Sequence, residues 1–133
     1  MYYILELYSP PWVIKKMKNE RPQITELLVA NGLDKVAARV LACFADDDDE
    51  LTQVDIEMFT RLRQPEVSVA VRELRRRGWI ATSLRPKEGK GRPLNVYRLA
   101  MPMREIVREI VRERNREIDR QQELAAQLLQ AVA

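Results

Sequence analysis

The chain has 133 residues, 46% hydrophobic and 32% charged, which is enough for one modest core beneath a charge-rich surface. It contains no histidine and a single cysteine, Cys43. That excludes a disulfide within the chain, zinc sites built from Cys and His, and nucleophilic catalysis of the Ser-His or Cys-His kind.

Residues 1–21 read as an N-terminal extension. Tyr2-Tyr3-Ile4-Leu5-Glu6-Leu7-Tyr8 is too apolar for a loose tail, and is expected to dock as a strand or short helix on the body or on a second subunit. Ser9-Pro10-Pro11 ends it. Trp12 to Glu20 sets Lys15, Lys16 and Lys18 beside Trp12, Val13, Ile14 and Met17, the pattern of a short amphipathic helix; packing is favoured over phosphate contact. No basic stretch precedes the first apolar residues, and the longest apolar run is far short of a membrane span. The expectation is a cytoplasmic protein with no membrane partner.

Residues 22–101 carry the periodic elements. Pro22 to Ala30 predicts a helix stopped by Asn31-Gly32. Asp34 can cap a helix over Lys35 to Ala45, where Val36, Ala37, Val40, Leu41 and Phe44 form one apolar stripe. Cys43 falls inside that helix as a small buried hydrophobe. Asp46-Asp47-Asp48-Asp49-Glu50 lacks the alternate spacing and the bend glycine of a calcium loop, so it reads as a solvated turn. No metal or other cofactor is expected. Thr52 and Asp55 make a capping box for a helix over Gln53 to Arg61, with Ile56 and Phe59 inward.

The centre of the chain is the next helix, Gln64 to Arg77. Pro65 suits its first position and Gly78 the left-handed position just past its end. Val67, Val71 and Leu74 make an inward stripe, which leaves Ser68, Val69 and Arg72 on other faces. Trp79 to Leu84 and Leu94 to Leu99 then alternate like strands. Arg85 to Pro93 joins them as a hairpin tip with two glycines and four cations. Between Arg61 and Arg98 there are eleven Arg and Lys against Glu66, Glu73 and Glu88, a local net charge of +8 where the whole chain has only +3. Such a field suits a polyanion.

Residues 102–133 follow a break at Pro102 and predict one long helix. A near-repeat of four places each Glu three residues before an Arg (105/108, 109/112, 113/116, 117/120), the pattern of a solvent-exposed helix. At about 100° per residue, Ile106, Val107, Ile110, Val111, Ile118, Leu124 and Leu128 fall in one arc that persists for roughly 42 Å. A small domain does not need so long a helix for its own core. It is expected to make a homodimer, or to clamp its own body and then its partner's. A chain ending at Pro102 is accordingly expected to stay folded and lose its partner.

Helix, helix and basic hairpin together resemble a winged helix-turn-helix. Gly32-Leu33-Asp34-Lys35 through Leu41, Arg63-Gln64-Pro65 through Val71, and Glu73-Leu74 with Arg77-Gly78-Trp79-Ile80 resemble archaeal and bacterial winged-helix transcriptional regulators of the TrmB-like and MarR-like groups. Gly91-Arg92-Pro93-Leu94-Asn95-Val96-Tyr97 is similar to their wing. The resemblance implies a mainly α fold with a small β-hairpin wing and a long C-terminal dimerisation helix. It implies double-stranded DNA as partner, with the second helix in the major groove: Gln64, Glu66, Ser68, Val69 and Arg72 facing bases or phosphates, beside Arg63 and Arg76. Lys87, Lys90 and Arg92 would meet the backbone. Glu66 stands where such regulators place a small polar residue, and Arg63 where they place a hydroxyl cap. The rival reading is a winged-helix protein-interaction module with a merely solvated basic face. No enzyme activity is expected, and no feature assigns a small-molecule effector.

Overall fold

The structure is a computed structural model that describes residues 22–44, 46–86, 91 and 93–133. The expected elements at residues 1–21 lie outside the described residues.

Local signals set most of the boundaries. Helix α1, Pro22–Ala30, ends in a Schellman turn. Gly32 sits at φ +103°, its N–H donates to the Val29 carbonyl, and the Leu33 N–H reaches back to Leu28, both at 3.0 Å. The Asp34 carboxylate accepts from the Val36 and Ala37 N–H groups at 3.1 and 3.2 Å and so caps α2, Lys35–Leu41. This helix is shorter than its apolar stripe predicts. Past Leu41 the bonds tighten to three-residue spacing, Cys43 to Val40 at 3.1 Å and Phe44 to Leu41 at 3.2 Å, and Phe44 enters the core from the turn rather than from a helix. Cys43 is therefore outside the helix and half-buried, with its thiol against the Arg39 carbonyl at 3.4 Å.

The acidic run is a turn, as expected, but not an idle one. The Asp46 N–H donates to Asp49, and the Asp47 carboxylate accepts the N–H of Met103 at 2.9 Å, at the start of the last helix. Glu50 is no longer turn: Glu50–Thr52 forms β1, a third strand that hairpin spacing did not reveal. Helix α3, Gln53–Thr60, follows with the full Thr52/Asp55 capping box. It ends at Arg61, whose φ of 59° makes it the one non-glycine residue with positive φ among the described residues. The buried Thr60 hydroxyl donates to the Ile56 carbonyl and accepts from the Leu62 N–H, fixing the turn.

Helix α4, Gln64–Arg76, begins at Gln64 as expected, with Pro65 as its second residue rather than its first. The end is a second Schellman turn, with Gly78 at φ +78° bonded to Arg75 and Trp79 to Leu74. The turn drops Trp79 into the core, where it is 1% exposed, and β2 runs Ile80–Arg85. Strand β3, Leu94–Leu99, is central in an antiparallel sheet of order β1-β3-β2, with Thr52 opposite Val96 and Thr82 opposite Tyr97.

Helix α5, Met103–Ala131, spans 29 residues. Its first turns close the core: Ile106 and Ile110 are buried, and Met103 and Val107 pack against the same cluster. From Val111 onward every residue is exposed. Ile106 and Ile110 therefore leave the set of residues expected to touch a second copy, because the chain's own body already covers them. The Glu–Arg ladder is also rearranged. Arg108 pairs with Glu105 at 2.5 Å, whereas Glu109 and Glu113 turn to the body and Glu117 accepts from Gln121. No described helix is long and apolar enough to cross a membrane.

Candidate nucleic-acid interface

On a wheel with Gln64 at 0°, the buried residues Val67, Ala70, Val71 and Leu74 fall at roughly 240–340°. Pro65, Val69, Arg72 and Arg76 fall at about 80–140°, directly opposite. This outer face is the part of α4 that stands clear of the body: Arg63, Gln64, Glu66, Val69, Arg72 and Arg76 are all exposed, and Ser68 is half-buried. The turn from α3 is pinned by Leu62, which is buried. It is pinned again by Gln53, whose amide donates to the Gln64 carbonyl at 3.3 Å and to the Ser68 hydroxyl at 3.4 Å. Sequence spacing marked Gln53 only as the start of a helix; its role as a tie between helices needs the fold.

Two grooves flank the outer face, and they differ in charge. On the wing side a groove of about 600 Å³ lies between the first turns of α3 and α4 and strand β3. Gln53, Val54, Gln64, Ser68, Asn95 and Tyr97 line it, and no lining residue is charged. On the other side an apolar groove of about 530 Å³ between α2 and α4 carries Asp34, Glu66 and Glu73. A polyanion is admitted by the first groove and repelled by the second.

The predicted contact residues divide accordingly. Gln64 and Ser68 belong to the wing-side groove; Glu66 and Val69 belong to the acidic one. Glu66 has a structural reason to be acidic. It is the third residue of α4, and its carboxylate accepts the Arg63 N–H at 3.2 Å, holding one N-terminal amide of the helix. Among the described residues Arg63 and Arg72 make no ion pair, so their charge is available. Arg76 is engaged with Glu73, at 3.0 and 2.5 Å. Those bonds, with Arg77 as a weaker second partner, hold the Glu73 carboxyl at about 2, well below the usual carboxylate range.

Arg77 and Trp79 tie this end of α4 to α5. The Arg77 guanidinium lies 4.8 Å from the Trp79 ring centroid and donates to Glu113 at 3.1 Å. The Trp79 indole N–H donates to Glu109 at 2.6 Å. On the wing, Arg85 pairs with Glu50 at 2.8 Å. Lys87, Lys90 and Arg92 lie outside the described residues.

Residues 31–92, a little under half of the chain, match the family model described as MarR family. Over those residues the chain is similar to the MarR family. That stretch holds α2, β1, α3, α4 and β2, and the structure sets α1, β3 and the long α5 around it. No curated protein sequence matches the chain. Solved structures agree on the fold. TrmBL2, an archaeal chromatin protein, superposes with a TM-score of 0.61 at 16% identity, over 84% of this chain. This chain spans only 39% of TrmBL2's length. A possible transcriptional regulator from Methanosarcina mazei Go1 gives 0.58 at 18% identity, covering 79% of this chain and 86% of that one. At such identities the structural likeness carries the winged-helix fold and not the contacts.

Proposed function

We propose that the protein is a transcriptional regulator that binds duplex DNA as a homodimer, and acts by binding rather than by catalysing a reaction. The observation that carries this is the outer face of α4. It projects from the body with Arg63 and Arg72 unpaired among the described residues, beside a groove that contains no carboxylate. In this reading α4 enters the major groove, and Arg72 and Gln64 are placed for base edges. Lys87, Lys90 and Arg92 supply sequence-neutral backbone contacts. The dimer rests on the exposed arc of Val111, Ile118, Leu124, Leu128, Leu129 and Val132, an apolar surface with nothing of its own chain to cover it among the described residues. A two-fold pair of such helices presents two copies of α4 to a pseudo-palindromic site.

The test is binding of random and selected duplexes at two salt concentrations, with sedimentation of the free protein alongside. The expected result is a dimer whose affinity for both duplexes falls steeply with salt, because each neutralised phosphate releases counterions. Absence of binding at the lower salt overturns the DNA reading and leaves the protein-interaction reading, for which the apolar acid-rimmed groove between α2 and α4 offers a surface.

A further inference from the structure

The wing-side groove has features that base reading does not use. Two helices begin at it, the eight-residue α3 at Gln53 and the thirteen-residue α4 at Gln64. Pro65 has no N–H and that of Asp55 is held by Thr52, which leaves the main-chain N–H groups of Gln53, Val54 and Gln64 where the positive ends of two helix dipoles meet. The acidic caps of these helices are turned away to backbone amides, Asp55 to the Thr52 N–H and Glu66 to the Arg63 N–H. Tyr97 closes the third side. It is 8% exposed, it lines the groove, and its hydroxyl has no hydrogen-bond partner among the described residues. Directly across the strand pair, the buried Thr82 hydroxyl is likewise without a partner among the described residues. The Tyr97 oxygen is open to the groove rather than sealed like that of Thr82, so an acceptor seated there can take the place of water.

We propose that this groove seats one phosphodiester of the DNA strand running between α4 and the wing, with the Tyr97 hydroxyl donating to a phosphate oxygen. The proposal rests on the DNA-binding reading and deepens it. The chemistry fits an anion that only accepts hydrogen bonds. The groove offers the N–H groups of two helix starts, the Ser68 and Tyr97 hydroxyls and the Asn95 amide, and neither a carboxylate to repel the anion nor a cation to hold it by charge alone. The contact is therefore sequence-neutral, yet differs from the wing cations in its response to salt. A neutral donor strengthens binding without adding to the charge that displaces counterions.

Tyr97→Phe in the full chain separates these roles. The hydroxyl bonds nothing in the described fold, so the variant is expected to melt like the parent. Its affinity for random and selected duplexes should fall by a similar factor, roughly tenfold for a lost hydrogen bond to a charged group. The log-log salt slope should stay unchanged. Methylphosphonate replacement of single phosphates then locates the seat. With the parent protein, one position per half-site between the major-groove contact and the wing should weaken binding, and that penalty should shrink in Tyr97→Phe. Affinity equal to the parent's overturns the proposal, as does a loss confined to the selected duplex, which would make Tyr97 a base reader. If the variant does not fold, a parent scan with no sensitive phosphate in that interval overturns it equally. A parent that binds no duplex at all removes the DNA reading itself, a result distinct from any of these.

Discussion

The two parts of α5 carry one continuous apolar arc under opposite conditions. From Met103 to Ile110 the arc is closed against the body, with Ile106 at 0% and Ile110 at 4% exposure. From Val111 onward the same arc continues through Ile118, Leu124 and Leu128, and Leu128 is 67% exposed. Periodicity is the same in both stretches, so a wheel cannot tell them apart. What separates them is where the body stops. Trp79 and Arg77, at the end of α4, reach Glu109 and Glu113 on α5, and past Glu113 no hydrogen bond or ion pair among the described residues joins α5 to the rest of the chain. A core segment and an interface segment can therefore be written in one alphabet.

The sharpest way to break this comparison is to cut between the parts. A chain ending at Arg112 retains Ile106 and Ile110 and is expected to fold, sediment as a monomer and lose DNA affinity by 10²–10⁴-fold, since two linked half-sites gain from effective concentration and one does not. A chain ending at Pro102 is expected not to fold, which corrects the expectation from sequence. It removes two buried isoleucines and the Met103 N–H held by Asp47. A tight dimer of the chain ending at Arg112 would move the interface off α5.

Point changes should reproduce the same division. Ile106→Ala should cost about 2–5 kcal/mol in chemical unfolding, the usual price of a large-to-small change in a packed core. Leu128→Ala should leave a dilute monomer within about 0.5 kcal/mol of the parent. Its effect should appear as weakened self-association in sedimentation. Equal unfolding costs for the two would mean that the distal arc is covered within one chain.

A smaller effect is expected at the junction. Glu109→Ala strands the Trp79 indole N–H and should cost about 1–3 kcal/mol in unfolding, the penalty for a polar group left without its partner. Glu109→Gln keeps an acceptor and should recover part of that loss. If both variants unfold like the parent, the Trp79–Glu109 bond does not help fasten α5 to the body.

The smallest effect is at Glu73. Its carboxyl is held at about 2 against a usual 4.5, chiefly by Arg76 and then by Arg77, and its side chain is half-exposed. A lowered folded-state value means the contribution is present above the unfolded value and lost as pH falls through the folded one. Glu73→Gln should therefore melt below the parent by a small constant margin above about pH 4.5. That margin should close as the pH falls toward 2. A margin independent of pH would assign the difference to packing rather than charge.

Local chemistry made much of the fold legible in the residues themselves. Gly32 and Gly78 had to end helices because they supply left-handed backbone without a Cβ penalty. Thr52 with Asp55 had to begin one, and Val67, Val71 and Leu74 had to face inward. Tertiary contacts decided what had no local signature. Strand β1 is three residues long and exists because β3 has an edge to offer it. Asp47 became a cap for a helix that starts 56 residues later, and Glu66 was drawn to its own helix start rather than outward. The candidate site divided in the same way. Sequence placed the cations and the exposed face of α4, because charge and helical period are properties of one segment. The charge difference between the two grooves, and the bare hydroxyl of Tyr97, arise only where α2, α3, α4 and β3 meet, and no single segment contains that meeting.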